Sequence, residues 1–196
     1  MAPRAPRPET DRELLATLVA RVCRVERAAL TIEQRCERCG GAHGRPRVLK
    51  PSGVHVSLSR AGGTVVVAVS LVGPVGVDIE SVSAVRRAGF DDVAFSRPER
   101  AALQLLPVDA RDRARAGLWT AKEALLKLSG EGLTVDPRGL TVGWDGAGAW
   151  ALWDWPTTTL DLVQVHLEGF DAGPGLVGTL ASLGTTPPRV RLRRET

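Results

Sequence analysis

The chain has 196 residues, 43% of them hydrophobic and 24% charged, with a formal net charge of +4. That length allows one domain or two closely packed halves with a real core, at a composition ordinary for a soluble globular protein. The charge is too small and too dispersed for a nucleic-acid binder and suits an acidic partner or a phosphate-rich ligand. The longest apolar run, Thr64 to Val77, is broken by Gly73-Pro74 and falls short of the roughly 20 residues a membrane span needs.

Residues 1–10 are rich in Pro and Arg and read as a flexible N-terminus. They lack the apolar core of a signal peptide, which places the chain in the cytoplasm. Leucines and valines at helical spacing predict a helix from Asp11 to about Leu30. Residues 35–53 read as a loop rich in Gly, Pro, Cys and Arg. Within it, Cys36-x-x-Cys39 with His43 resembles a fragment of a zinc site, but a fourth ligand would have to come from Cys23 or His55 at no standard spacing. Val54 to Ser59 alternates, with His55, Ser57 and Ser59 on the polar face of a half-buried strand. Thr64 to Leu71 and the VGVDIE segment are two more strands.

Downstream, Ser96 and Glu99 form a capping box with Pro98 in the first turn of a helix. A longer helix runs from about Asp109 to Leu128 and stops at SGEG. Three strands, GLTVGWD, AWALWDW and LVQVHLE, follow, and PPRVRLRRET is a loose end or a late edge strand. This order predicts an α+β fold of two similar halves, 11–83 and 84–184, with a basic tail over 185–196.

Two segments carry chemistry. On a strand, Asp78 and Glu80 share a face, roughly 6–7 Å apart. Carboxylates that close repel unless a cation lies between them, and oxygen donors favour Mg²⁺ over Zn²⁺. The plainer alternative is a solvent-facing strand. In WTAKEALLK, Glu123 and Lys127 are an i,i+4 pair, which is either a surface ion pair or a third carboxylate beside a cation for phosphate. Of 26 basic residues only Lys50, Lys122 and Lys127 are lysines. Arginine serves wherever a cation alone is needed, so each lysine marks a place worth explaining.

GVDIE, FSRPE and WTAKEALLKLSGEGL, in this order and spacing, resemble the signature blocks of the Sfp-type 4′-phosphopantetheinyl transferases. CERCGGAHGRP and VSLSR resemble that family's coenzyme A blocks, so the likeness spans about residues 35–140. It implies an α+β fold of two pseudo-symmetric halves, with the active site in the cleft between them. The implied reaction moves phosphopantetheine from coenzyme A to a carrier-protein serine and releases 3′,5′-ADP. Asp78, Glu80 and Glu123 match the metal-binding acids for Mg²⁺ or Mn²⁺, and Lys127 matches a lysine near the transferred phosphate. Gly44, Arg45, Pro46, Ser59 and Arg60 match coenzyme A contacts, and Glu99 or Glu123 is the base.

The implied partner is an acidic acyl or peptidyl carrier protein of polyketide or nonribosomal peptide assembly, served by a monomer. There are departures from the family pattern: Arg45 stands for the usual lysine, Arg60 for the usual histidine, and the segment upstream is short. Two rival functions follow from these features. One is a non-catalytic relative that retains carrier binding. The other is a Mg²⁺-dependent phosphohydrolase, although no P-loop is present.

Overall fold

The computed structural model describes residues 8–36, 39–41 and 44–194. The expected residues 1–7 of the flexible N-terminus, His43, and the last two residues of the tail lie outside them. Helix α1 (Pro8–Cys23) leads into β1 (Thr31–Gln34), β2 (Pro46–Lys50), β3 (His55–Ala61), β4 (Thr64–Ser70) and β5 (Val75–Ser81). Four helices follow: α2 (Val82–Ala88), α3 (Asp91–Ala94), α4 (Arg97–Leu105) and α5 (Val108–Ser129). The last strands are β6 (Thr141–Trp144), β7 (Trp150–Asp154), β8 (Val165–Phe170) and β9 (Leu176–Leu183). The fold is α+β, as expected. Strands pair antiparallel as β1–β2, β3–β4, β6–β7 and a three-stranded sheet in the order β5–β9–β8.

Each half has its own core. In the first, Leu15 and Val19 of α1 pack with Val54 and Val56 beside β3. In the second, Leu118, Leu125, Leu126 and Leu128 of α5 pack with Phe95, Leu140 and Trp155. β5 joins the two. It precedes the division at residue 83, yet it pairs along its whole length with β9.

The structure corrects the element expectations in three places and decides the alternative left open for the tail. The first helix stops at Cys23, because Arg24 turns into the left-handed region at φ 57°. The expected loop over 35–53 contains β2, which opens on Pro46 at a strand's first position, where the missing N–H is tolerated. β9 was not foreseen, although it is the central strand. Its small residues hide the pattern, and Gly178 is small because a Cβ there would lie 2.5 Å from the Phe170 ring. Finally, residues 185–194 carry no strand, so the tail is a loose end. The capping box forms as predicted, with Ser96 N–H donating to Glu99 Oε2 at 2.7 Å. Among the described residues no helix is long and apolar enough to cross a membrane.

Candidate active site at the seam of β3, β5 and α5

β5 is an edge strand on the side away from β9, so its outward N–H groups need acceptors. β3 supplies them by side chain. Ser57 Oγ accepts from Val77 N–H at 3.0 Å and Ser59 Oγ from Ile79 N–H at 3.3 Å. The polar face of β3 therefore faces a seam, and Ser57 and Ser59 are 4% and 5% exposed.

α5 crosses the same strand at Gly76. A Cβ there would sit 1.9 Å from the Ala124 carbonyl oxygen and 2.6 Å from Leu128 N. Only glycine allows this approach, and it sets Glu123 and Lys127 beside Asp78. Asp78 is 3% exposed. Its Oδ1 accepts from Ser59 Oγ at 2.6 Å and from Lys127 Nζ at 2.6 Å. Lys127 also donates to Val77 O at 3.2 Å. The lysine thus serves Asp78, while Glu123, its expected i,i+4 partner, feels its charge through space.

The three acids influence one another. Burial holds the pKa of Asp78 above its ordinary value, against the pull of Lys127 and Ser59. Glu80 is raised by burial and then by the Asp78 charge, and a hydrogen bond from the Trp119 side chain opposes this. Glu123 is pushed up to about 7, first by burial, then by Asp78, with Lys127 opposing and Glu80 adding. Asp78 Oδ2 and Glu123 Oε1 are buried and have no hydrogen-bond partner.

Among the described residues, no three His, Cys, Asp or Glu side chains stand close enough, as placed, to hold a metal ion. This leaves the Cys36–Cys39 zinc motif without a described site. The donor chemistry at the seam nevertheless fits a hard divalent cation. All three acids offer oxygen, two of those oxygens lack partners, and a cation would relieve the repulsion between them.

Other predicted site residues lie apart from the acids or are committed elsewhere. Glu99 is buried away from solvent. Its Oε2 accepts from Lys122 Nζ at 2.5 Å and from Ser96 N–H, and its Oε1 accepts from Val142 N–H at 2.8 Å. Lys122 also donates to Ala94 O at 2.9 Å. This buried network was not read from the sequence, although the scarcity of lysine pointed at Lys122. Arg60 is exposed and pairs with the buried Asp11 of α1.

Gly44 has φ 111°, a conformation suited to glycine, and passes its carbonyl to Gln34 Nε2 at 2.9 Å. Pro46 is buried at the start of β2. Arg45 lies against Gly130, the left-handed cap of α5, where a Cβ would come within 2.5 Å of its Nη1. With Arg35 and Arg47 it lines a cleft of about 330 Å³ one turn beyond Lys127. Burial and Arg47 lower the pKa of Arg45.

Residues 74–168 match the model of the 4′-phosphopantetheinyl transferase superfamily. The 4′-phosphopantetheinyl transferase psf-1 of Bacillus pumilus is 34% identical over 126 residues, 64% of this chain and 53% of that protein. The chain thus spans about half the length of that curated relative. Among solved structures, the holo-[acyl-carrier-protein] synthase of Neisseria meningitidis is 20% identical over 57% of this chain and 97% of its own, with a TM-score of 0.49. The Bacillus anthracis synthase in complex with CoA (3′,5′-ADP) is also 20% identical, over 58% and 96%, with a TM-score of 0.46.

Proposed function

We propose that this chain transfers 4′-phosphopantetheine from coenzyme A to a serine of a carrier protein, a reading supported by the match of residues 74–168 to the 4′-phosphopantetheinyl transferase superfamily model and by the likeness to psf-1. One observation carries this: at one seam Asp78, paired with Lys127, and the neighbouring Glu123 each bury a carboxylate oxygen without a partner. Such a group is costly unless a ligand completes it.

In the reaction, the carrier serine oxygen attacks the pantetheine-side phosphorus of the coenzyme A pyrophosphate. The bond from that phosphorus to the bridging oxygen breaks, and 3′,5′-ADP leaves. Asp78, Glu80 and Glu123 would hold Mg²⁺ or Mn²⁺, which would supply charge neutralisation at the pyrophosphate. Glu123, beside Asp78 at the same seam, takes the serine proton, directly or through water. Glu99 is the poorer base, since Lys122, Ser96 and Val142 already occupy its carboxylate. Lys127 stabilises the charge growing on the leaving oxygen.

The arginine cleft beside Gly44, Arg45 and Pro46 suits the nucleotide phosphates. Arg60 retains donors beyond its contact with Asp11 for the 3′-phosphate. Both halves lie in one chain, which suits a monomer, and the formal net charge of +4 suits an acidic carrier protein.

Intact-mass analysis of an apo carrier protein incubated with this chain, coenzyme A and Mg²⁺ tests the proposal. The expected result is a mass gain of one phosphopantetheine. Carrier binding without a gain would identify a non-catalytic relative. Hydrolysis of coenzyme A in the absence of carrier would identify a phosphohydrolase.

A further inference from the structure

Ser59 has one hydroxyl proton. It is given to Asp78 Oδ1 at 2.6 Å, the short range of a hydroxyl bound to a carboxylate. The same oxygen atom accepts from Ile79 N–H at 3.3 Å. A phosphate dianion only accepts hydrogen bonds, so a serine that binds phosphate must donate its proton to it. Ser59 has none to spare.

At the carboxylate, Oδ1 already receives both Ser59 and Lys127 at 2.6 Å. Two donors fill its two lone pairs. Oδ2 is buried and has no partner. The two oxygens of one carboxylate are thus held in opposite conditions, and the serine and the lysine between them fix the carboxylate's rotation.

We infer that Ser59 is a positioning residue for the metal site and not a coenzyme A contact: it locks Asp78 so that Oδ2 alone meets the cation. Mg²⁺ demands near-octahedral geometry, and a carboxylate presenting one oxygen at a fixed angle suits that demand. Hydrogen bonds to a ligating carboxylate orient it, and their loss typically costs about 10–100-fold in metal affinity. The inference rests on the proposed function only for the identity of the ion.

Ser57 is a matched control. Its hydroxyl accepts from Val77 N–H at 3.0 Å across the same seam, two residues away on β3, and Asp78 is not among its partners. Ser57→Ala and Ser59→Ala therefore remove similar seam bonds, but only the second releases Asp78. The experiment titrates Mn²⁺ alone, by electron paramagnetic resonance or calorimetry, into wild type and both variants. It then titrates 3′,5′-ADP into the same proteins in chelator.

Ser59→Ala is expected to lose about 10–100-fold in Mn²⁺ affinity, with Ser57→Ala near wild type and ADP affinity in chelator unchanged. Unaltered Mn²⁺ affinity in Ser59→Ala would overturn the inference. So would a loss of ADP affinity in chelator confined to that variant, which would return Ser59 to the ligand. Should Ser59→Ala not fold, a crystal of the wild-type chain soaked in Mn²⁺ decides. Asp78 bound through Oδ2 alone, with Ser59 still on Oδ1, upholds the inference, and a bidentate Asp78 overturns it. Neither titration nor crystal needs a carrier protein, so a failure to transfer phosphopantetheine would count against the proposed reaction and leave this inference standing.

Discussion

Helix α5 carries two lysines five residues apart, and each pairs with a buried carboxylate. Lys122 and Glu99 have side chains 0% and 1% exposed, and every oxygen of Glu99 has a donor. Lys127 and Asp78 are 27% and 5% exposed, and Asp78 Oδ2 and the neighbouring Glu123 Oε1 have none. Both pairs join a lysine of α5 to a carboxylate. What separates them is satisfaction: the first pair is closed and fixes α4 and β6 on α5, while the second is left open toward a ligand. A buried ion pair on its own therefore says little about function. The polar atoms left over beside it say more.

Breaking the closed pair has the largest expected effect on stability. Lys122→Met leaves Glu99 charged and buried without its cation, which typically costs about 3–5 kcal/mol. Urea denaturation should show that loss as a lowered midpoint. A variant within about 1 kcal/mol of wild type would mean that Glu99 protonates or reaches water, and that the two pairs are alike.

The open pair should reveal itself through pH. In the folded chain Glu123 titrates at about 7, against an ordinary 4.5, so the folded state holds its proton more tightly than the unfolded chain. Its contribution to stability is complete below about pH 4.5 and is lost as pH rises through about 7, a change on the order of 3 kcal/mol at most. In chelator, wild type should therefore have a lower urea midpoint at pH 8 than at pH 5. Glu123→Gln should flatten that difference, and Mn²⁺ should restore the wild-type midpoint at pH 8. Parallel pH dependence in wild type and Glu123→Gln would remove Glu123 from the set of strained acids.

Local spacing carried part of this site. The period of a strand put Asp78 and Glu80 on one face, the spacing of Ser96 and Glu99 gave the capping box, and the WTAKE segment gave a third acid. The partners could not be read the same way. Lys127 lies four residues from Glu123 but hydrogen-bonds Asp78, 49 positions away. Glu99 meets Lys122 across 23 positions and Val142 across 43. Pairings of that kind follow from where α5 crosses β5, which the topology decides. Ser57 and Ser59 likewise read as an outward polar face because the sequence does not say that a second strand edge lies opposite. β9 was lost for a related reason: a central strand buried on both faces has no alternation to find.

The crossing itself can be displaced. Gly76→Ala would force a Cβ into the backbone of α5 at Ala124 and Leu128. Overpacking of this sort typically costs about 1–3 kcal/mol. The shift should fall on the open pair, because Lys127 reaches Asp78 and Val77 directly across the contact. Mn²⁺ affinity should drop along with stability, whereas the Lys122–Glu99 network, which does not touch β5, should persist. Lost stability with intact Mn²⁺ affinity would show that the acids do not depend on this approach.

The smallest expected effect on stability, and the sharpest comparison of the two lysines, comes from Lys127→Arg. The charge is kept, so an ion pair that serves only the fold should tolerate the change within about 1 kcal/mol. The geometry is not kept. Nζ now sits between Asp78 Oδ1 and the Val77 carbonyl, at 2.6 and 3.2 Å, as a compact donor. A guanidinium is a planar fork that prefers two parallel acceptors, and it would turn toward both oxygens of Asp78 and cover Oδ2. The one oxygen left for a cation would then be occupied by protein. Turnover of apo carrier protein, followed by mass, should fall roughly tenfold or more, with Mn²⁺ affinity falling in step, while the urea midpoint barely moves. Full turnover in Lys127→Arg would make this lysine, like Lys122, a support of the fold.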